Sequence, residues 1–256
     1  MTSPNIDIDW LLDITRDAGA LALSWFGRTK AELKADDSWV TEADLAVEKQ
    51  LREAIGKVRP TDAILGEEGA KDLPDSDIIW AIDPVDGTRV FNHGLPVWCV
   101  SVGVLYKGTP TLGAIYLPVV GDMFHTDGER AFLNGEPLAQ PDPSVEANSL
   151  LLASERTSHA LNLDFPGRVL SQGSCAAHLC YVAQGSAVGA IDEAHLWDYA
   201  AAAAILRVLG IPFRYASGDP VIFTDLLDGR KVSESTIVCH PRHFDLLQNA
   251  YTHPHK

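Results

Sequence analysis

The chain has 256 residues, 46% of them hydrophobic and 21% charged, enough apolar material for an ordinary core and a composition that excludes wholesale disorder. Its 20 Lys and Arg stand against 35 Asp and Glu, and the formal charge of -15 repels nucleic-acid backbone and anionic membrane, so neither is an expected partner. No apolar run is long enough to span a bilayer, and residues 1–9 carry early acids instead of a basic and then apolar leader. Cys99, Cys175, Cys180 and Cys239 lack paired short spacings and read as small buried hydrophobes in a reducing compartment, the cytoplasm.

In chain order, apolar residues recur at helical spacing over 8–25 (Ile8, Leu11, Leu12, Ala18, Leu21, Trp25), with Gly27 as a stop. Residues 34–41 read as a loop or short hairpin. A second helix is expected from Thr41, with Val47, Leu51 and Ile55 on one face, closing near Gly56. The apolar run 63–66 ends in Glu67 and Glu68. Residues 78–83 form a continuous apolar run ending in Asp83, the pattern of a buried strand, and Pro84 is expected to stop its ladder. Strands are predicted at 97–106 and 111–117, joined by a turn at 107–110, with a shorter pair near 123–125 and 131–133.

The Pro-, Asp- and Ser-rich segment 137–149 reads as a boundary, dividing the chain into 1–145 and 146–256 as two halves of one compact unit. The second half alternates: a strand at 150–153, a helix at 175–183, a strand at 188–191 and an Ala-rich helix at 198–209 closed by Gly210. The expected class is mixed, α+β or α/β, with antiparallel strands in the first half and sheets covered by helices.

The acids at the ends of these elements carry the chemistry. Asp83 and Asp86, three residues apart at a strand end, are spaced so that they can converge on one point. Glu67 and Glu68 follow another apolar run, and Asp198 opens the Ala-rich helix. Taken singly, Asp86 and Asp198 also read as helix N-caps, and Asp44, three residues after Thr41, as half of a capping box. Gathered together, such acids repel unless they share a cation, and an all-oxygen set suits a hard ion such as Mg²⁺. A metal would also let so acidic a chain hold a phosphate.

Gly66-Glu-Glu68, Asp83-Pro-Val-Asp-Gly-Thr88 and Trp197-Asp198 together resemble the inositol monophosphatase family of lithium-sensitive, Mg²⁺-dependent phosphatases. Supporting matches lie at Val40-Thr-Glu-Ala-Asp44, over 128–135, and at Gly173-Ser-Cys-Ala-Ala177 leading into Leu179-Cys-Tyr-Val182, so that the resemblance runs from about residue 8 to about residue 247. It implies a layered α-β-α-β-α sandwich with the site between the halves, and two to three Mg²⁺. Glu68, Asp83 and the Val85 carbonyl would bind one ion, Asp83, Asp86 and Asp198 a second, and Glu68 with waters a weaker third. The N–H groups of Gly87 and Thr88 would face the phosphate. Thr88 with Asp44 would orient and deprotonate the attacking water, and Glu67 would tune it. Ser174 and Ala176 fall where the family contacts the leaving group, and Lys34 resembles a lysine near the metal loop. A homodimer is a further family expectation, with 97–104 and 111–120 as candidate interface stretches.

One departure concerns the substrate. Inositol-specific members carry a Glu seven residues before the Trp-Asp aspartate, where it binds sugar hydroxyls. Here that position is Ile191, with Asp192 and Glu193 beside it, and a one-residue deletion would bring either acid into the role. Inositol phosphate, histidinol phosphate, 3′-phosphoadenosine 5′-phosphate and fructose bisphosphate are the candidate substrates. A non-catalytic Mg²⁺-binding regulatory protein is the alternative from another class. It would be expected to lack a metal acid or Thr88, and all are present. Arg89 reads as a surface ion-pair partner, His93, Trp98 and His195 as structural, and His253-Pro-His255 as a tail.

Overall fold

The computed structural model describes residues 4–34, 39–69, 73–160 and 163–252. Helix α1 (Ile8–Trp25) starts at Asp7, whose carboxylate accepts the N–H groups of Asp9 and Trp10, and it buries Leu11, Ile14, Ala18 and Ala22 along one stripe. Two short strands, β1 (Glu32–Leu33) and β2 (Trp39–Val40), pair antiparallel, which makes the hairpin reading of this stretch the right one at its ends. Its tip, 35–38, lies outside the described residues, as does the tail at His253 and His255. Helix α2 (Glu42–Val58) runs two residues past Gly56 and buries Val47, Leu51 and Ile55, with Thr41 as its N-cap.

The first sheet has seven strands, adjacent in chain order: β3 (Ala63–Gly66), β4 (Ile78–Asp86), then, after the short helix α3 (Thr88–Asn92), β5 (Cys99–Tyr106), β6 (Thr109–Leu117), β7 (Asp122–Thr126), β8 (Ala131–Leu133) and β9 (Glu136–Pro137). The expected all-antiparallel pairing fails at one place, because β3 and β4 are parallel. The connection between them carries the chain back to its starting edge, so both strands end on the same side, with Gly66 opposite Ile82. Glu67 is thereby brought beside Asp83.

Pro84 does not stop β4. The ladder passes from Asp83 opposite Ser101 to Asp86 opposite Cys99 through an irregularity that absorbs the missing donor. The β5–β6 turn is tighter than predicted. Lys107 and Gly108 both have positive φ, 50° and 78°, as a two-residue hairpin turn requires, and Thr109 and Pro110 already belong to β6.

The second half supplies β10 (Leu150–Ala153), α4 (Glu155–Ala160), β11 (Arg168–Leu170), α5 (Cys175–Gln184), β12 (Gly189–Asp192), α6 (Leu196–Val208), β13 (Phe213–Tyr215), β14 (Thr236–Cys239) and α7 (Phe244–Thr252). Its five strands are ordered β11-β10-β12-β14-β13, parallel around β10 and antiparallel around β14. Helices α1 and α2 cover one face of the seven-stranded sheet, α5 and α6 fill the space between the sheets, and α7 covers the far side. Three hydrophobic clusters correspond to these interfaces. The layering is α-β-α-β-α, as the family resemblance implies.

The Ala-rich composition of α6 has a packing cause. Gly103 and Gly113 face each other across β5 and β6, and a Cβ on either would stand 2.5–2.6 Å from the backbone of Ala201. Small residues on both sides let the helix lie directly on the sheet, which sets its first turn at the strand ends. The stretches 97–104 and 111–120 do not form an exposed interface as expected. Val100, Val102, Val104, Leu112, Ala114 and Ile115 are core residues of central strands, and only Val119 and Val120 at the following turn are exposed.

Candidate active site

Asp83 lies near the end of β4, Asp86 closes that strand beyond the irregularity, and Asp198 sits in the first turn of α6. Each offers a carboxylate oxygen within 4.8 Å of the others. The N-cap readings of Asp86 and Asp198 are both corrected. Gly87 caps α3 with φ +97°, a conformation suited to glycine, and His195 caps α6, which begins at Leu196. Asp198 instead accepts the His195 N–H at 2.6 Å from inside the first turn.

All three carboxyls are buried, and burial is the first reason that each is harder to ionise than an ordinary aspartic acid. Repulsion adds to it. Asp83 is raised further by Glu67, Asp86 and Asp198, and Asp86 is pushed up to about 7 by burial and by Asp198. The contact between Asp83 and Asp198 raises the first further and offsets part of the rise that burial causes at the second. Asp86 is also held across the interlayer gap by the start of α5. Ser174 Oγ and the Ala176 N–H donate to Oδ2 at 2.6 Å each, and the Cys175 N–H donates to Oδ1 at 3.3 Å. A compact set of buried oxygen donors under mutual repulsion fits a hard divalent cation.

The two glutamates separate. Glu67 lines the cavity beside the aspartates, whereas Glu68 turns to Lys34, whose Nζ lies 2.7 Å from its Oε1 and 3.7 Å from Glu67 Oε1. Burial, then Asp198 and Glu68, raise Glu67 well above the usual carboxylate range. Asp44 is indeed half of a capping box, accepting the Thr41 N–H at 2.8 Å and its hydroxyl at 2.5 Å on Oδ2. Its Oδ1 accepts the Thr88 hydroxyl at 3.1 Å, which also reaches the Val85 carbonyl at 3.1 Å. The capping and catalytic readings of Asp44 therefore use different oxygens of one carboxylate. Burial pushes that carboxyl up to about 6.

Glu67, Asp86, Thr88 and Asp198 border a cavity of about 710 Å³ that also takes in Arg89, Glu155, Ser174, His178, Asp192 and Glu193. Asp192 follows Ile191 at the end of β12. Ile191 is fully buried core, so the acid at this wall is Asp192. His178 holds it: the Gln172 N–H donates to Nε2 at 3.1 Å, leaving the Nδ1 proton for the Asp192 carboxylate at 3.1 and 3.2 Å. The rim is built from exposed ion pairs, Arg89 with Glu155, and Arg156 with Glu193 at 3.3 Å; Glu193 also accepts the Ser235 hydroxyl at 2.8 Å.

Ala176, expected at the leaving group, does not border the cavity. It is fully buried, and its N–H donates to Asp86. Ser174 both caps α5 and donates to Asp86. His195 stacks on Trp197, and Trp98 packs in the core against Phe91 and Phe26. Sequence reasoning missed His178 and the buried Glu48. The only sequence signal for Glu48 is its place one helical turn after Asp44.

The inositol monophosphatase family model matches residues 11–253. A histidinol-phosphatase of Chlorobaculum parvum is 33% identical over 218 residues, covering 80% of this chain and 83% of that protein. Inositol monophosphatase 1 of Solanum lycopersicum is 34% identical over 219 residues, covering 78% and 80%. Among solved structures, the Thermotoga maritima IMPase superimposes with a TM-score of 0.83 over 96% of each chain at 24% identity, a likeness of fold. The sequence motifs, the layered fold and the convergent acids agree with these matches, and the chain belongs to the inositol monophosphatase family of phosphoric monoester hydrolases.

Proposed function

We propose that this phosphatase is magnesium-dependent and acts on a small phosphate monoester, inositol phosphate being the first candidate, with 1–145 and 146–256 as two halves of one catalytic unit. The observation that carries the reading is the convergence of Asp83, Asp86 and Asp198 beside a cavity. Glu68, Asp83 and the Val85 carbonyl would hold one ion and Asp83, Asp86 and Asp198 a second, with Glu68 contributing to a third. Bound magnesium supplies the positive charge that lets these acids accept a phosphate dianion, polarises the phosphoryl group and lowers the pKa of a coordinated water toward about 7.

The chain's own groups then act on the substrate. The N–H groups of Gly87 and Thr88, at the start of α3, are assigned to phosphate oxygens. Asp44 draws the Thr88 hydroxyl proton toward itself, leaving the Thr88 oxygen to accept from the attacking water. With its carboxyl pushed up to about 6, Asp44 is ionised near neutral pH yet basic enough to share that proton. Glu67, on the same wall, orients the water. Asp192, its orientation set by His178, accepts a hydrogen bond from the leaving group, and Glu193 borders the same space.

A histidinol-type substrate has specific support. Glu155, Asp192 and Glu193 line the cavity, the two glutamates paired with Arg89 and Arg156, so that the Asp192 carboxylate is the anion suited to a cationic amino alcohol, and one relative carries the histidinol-phosphatase name. Phosphate release from inositol 1-phosphate, histidinol phosphate, 3′-phosphoadenosine 5′-phosphate and fructose 1,6-bisphosphate, with and without Mg²⁺ and with added Li⁺, tests the reading. Mg²⁺-dependent turnover of one ester supports it and names the substrate. Binding of Mg²⁺ with no turnover of any ester would favour the regulatory alternative. Four free cysteines support a reducing compartment, the cytoplasm, and no helix among the described residues is long and apolar enough to cross a membrane. Homodimerisation is proposed on family likeness and is read by sedimentation.

A further inference from the structure

Glu48 is buried, 3% exposed, one turn beyond Asp44 on α2. Its Oε2 accepts the backbone N–H of Glu68 at 2.7 Å, and its Oε1 accepts the Arg52 Nε–H at 2.7 Å. Arg52, a further turn along, also donates from Nη1 to the Ile64 carbonyl of β3 at 3.3 Å. Positions 44, 48 and 52 therefore form one stripe of the helix. Asp44 reaches Thr88, Glu48 holds the backbone of Glu68, and Arg52 braces Glu48 against the neighbouring strand.

The glycines flanking the two glutamates make room for this stripe. A Cβ at Gly66 would stand 2.5 Å from Glu48 Oε1, and one at Gly69 would run into the Arg52 guanidinium. Neither Glu48 nor Arg52 borders the active-site cavity. Their bonds instead end on the Glu68 backbone and on β3.

We propose that Glu48, braced by Arg52, is a positioning residue that fixes the backbone of Glu68 so that its carboxylate is presented to the cation. The inference rests on the reading of Glu68 as a metal ligand. Outer partners of metal ligands typically carry about 10–100-fold in metal affinity, because they remove the freedom the ligand would lose on binding.

The test is magnesium titration of the metal-free protein by calorimetry, with a thermal melt of each variant. Glu48→Ala is expected to weaken magnesium binding by about 10-fold or more. Glu48→Gln, whose amide oxygen still accepts the Glu68 N–H, should recover most of that affinity. A purely structural role would lower the melting temperatures of both variants without separating their affinities. Wild-type magnesium affinity in folded Glu48→Ala overturns the inference. Should that variant not fold, Gly66→Ala replaces it, since its methyl displaces the Glu48 carboxylate without removing it, and wild-type affinity there is equally fatal. Glu68→Gln separates the two ideas. Wild-type affinity in Glu68→Gln removes Glu68 as a ligand and overturns both, whereas weakened affinity there beside normal binding in Glu48→Ala overturns the positioning role alone.

Discussion

The floor and the rim of the cavity are built on opposite electrostatic plans. On the floor, Asp83, Asp86 and Asp198 are buried, close together and harder to ionise than ordinary aspartic acids, and each is oriented by short bonds from backbone or hydroxyl donors. At the rim, Arg89–Glu155 joins two half-exposed side chains and Arg156–Glu193 an exposed arginine to a partly buried glutamate, and a pair screened by solvent contributes about 0–1 kcal/mol. On the function proposed above, the strained floor would take the cation and the phosphate, and the screened rim would tolerate substitution and bear on the choice of leaving group. Asp192 stands between the two, buried like the floor but facing the space the rim encloses.

The largest effect is expected where the floor is broken. Asp83→Asn should reduce phosphate release by well over the ~100-fold that loss of an outer partner costs a metal site. The same substitution removes a buried acid that its neighbours repel, so the metal-free variant should melt no lower than the wild type. A variant that is both active and less stable would contradict this account of the floor. Next, Asp44→Asn should lower kcat by about 10²–10⁴-fold, the usual cost of losing a positioned base, while magnesium affinity measured by calorimetry changes little.

A pH series sharpens the contrast without mutation. Asp44 and Asp86 are raised from 3.8 to about 6 and about 7. Between those limits the folded metal-free chain holds protons that the unfolded chain has released, so stability must fall as pH rises. Melting temperature in chelator should therefore decline from pH 4 through 7, and added Mg²⁺ should flatten that decline at the upper end. A profile that rises over this window would show that the floor acids are not strained.

At the wall between floor and rim, Asp192→Asn should raise KM by about 10-fold or more for the preferred substrate, the scale of one charge-assisted hydrogen bond, with kcat less affected. The smallest effect belongs to the rim itself. Arg89→Ala should change kcat/KM by less than about fivefold, matching the value of an exposed pair.

Local chemistry makes the catalytic acids legible along the chain itself. An apolar run must be buried, so an acid at its end marks a place where a charge is kept at the edge of the core, as at Asp83 and Glu68. Thr41 and Asp44 advertise a helix start through spacing alone, and Lys107-Gly108 advertises a turn. The tertiary structure decided everything that depends on distant partners. Parallel pairing of β3 with β4 brought Glu67 beside Asp83, and close packing of α6 on Gly103 and Gly113 set Asp198 against Asp86. The donation of Ser174 and Ala176 to Asp86, of His178 to Asp192 and of the Glu68 N–H to Glu48 is likewise invisible along the chain, at separations of 88, 90, 14 and 20 residues. A buried polar group must find a partner, but which partner is chosen only when the layers close. For that reason the acids and the family are written in the motifs, while the bonds that hold those acids and the shape of the cavity beside them exist only in the fold.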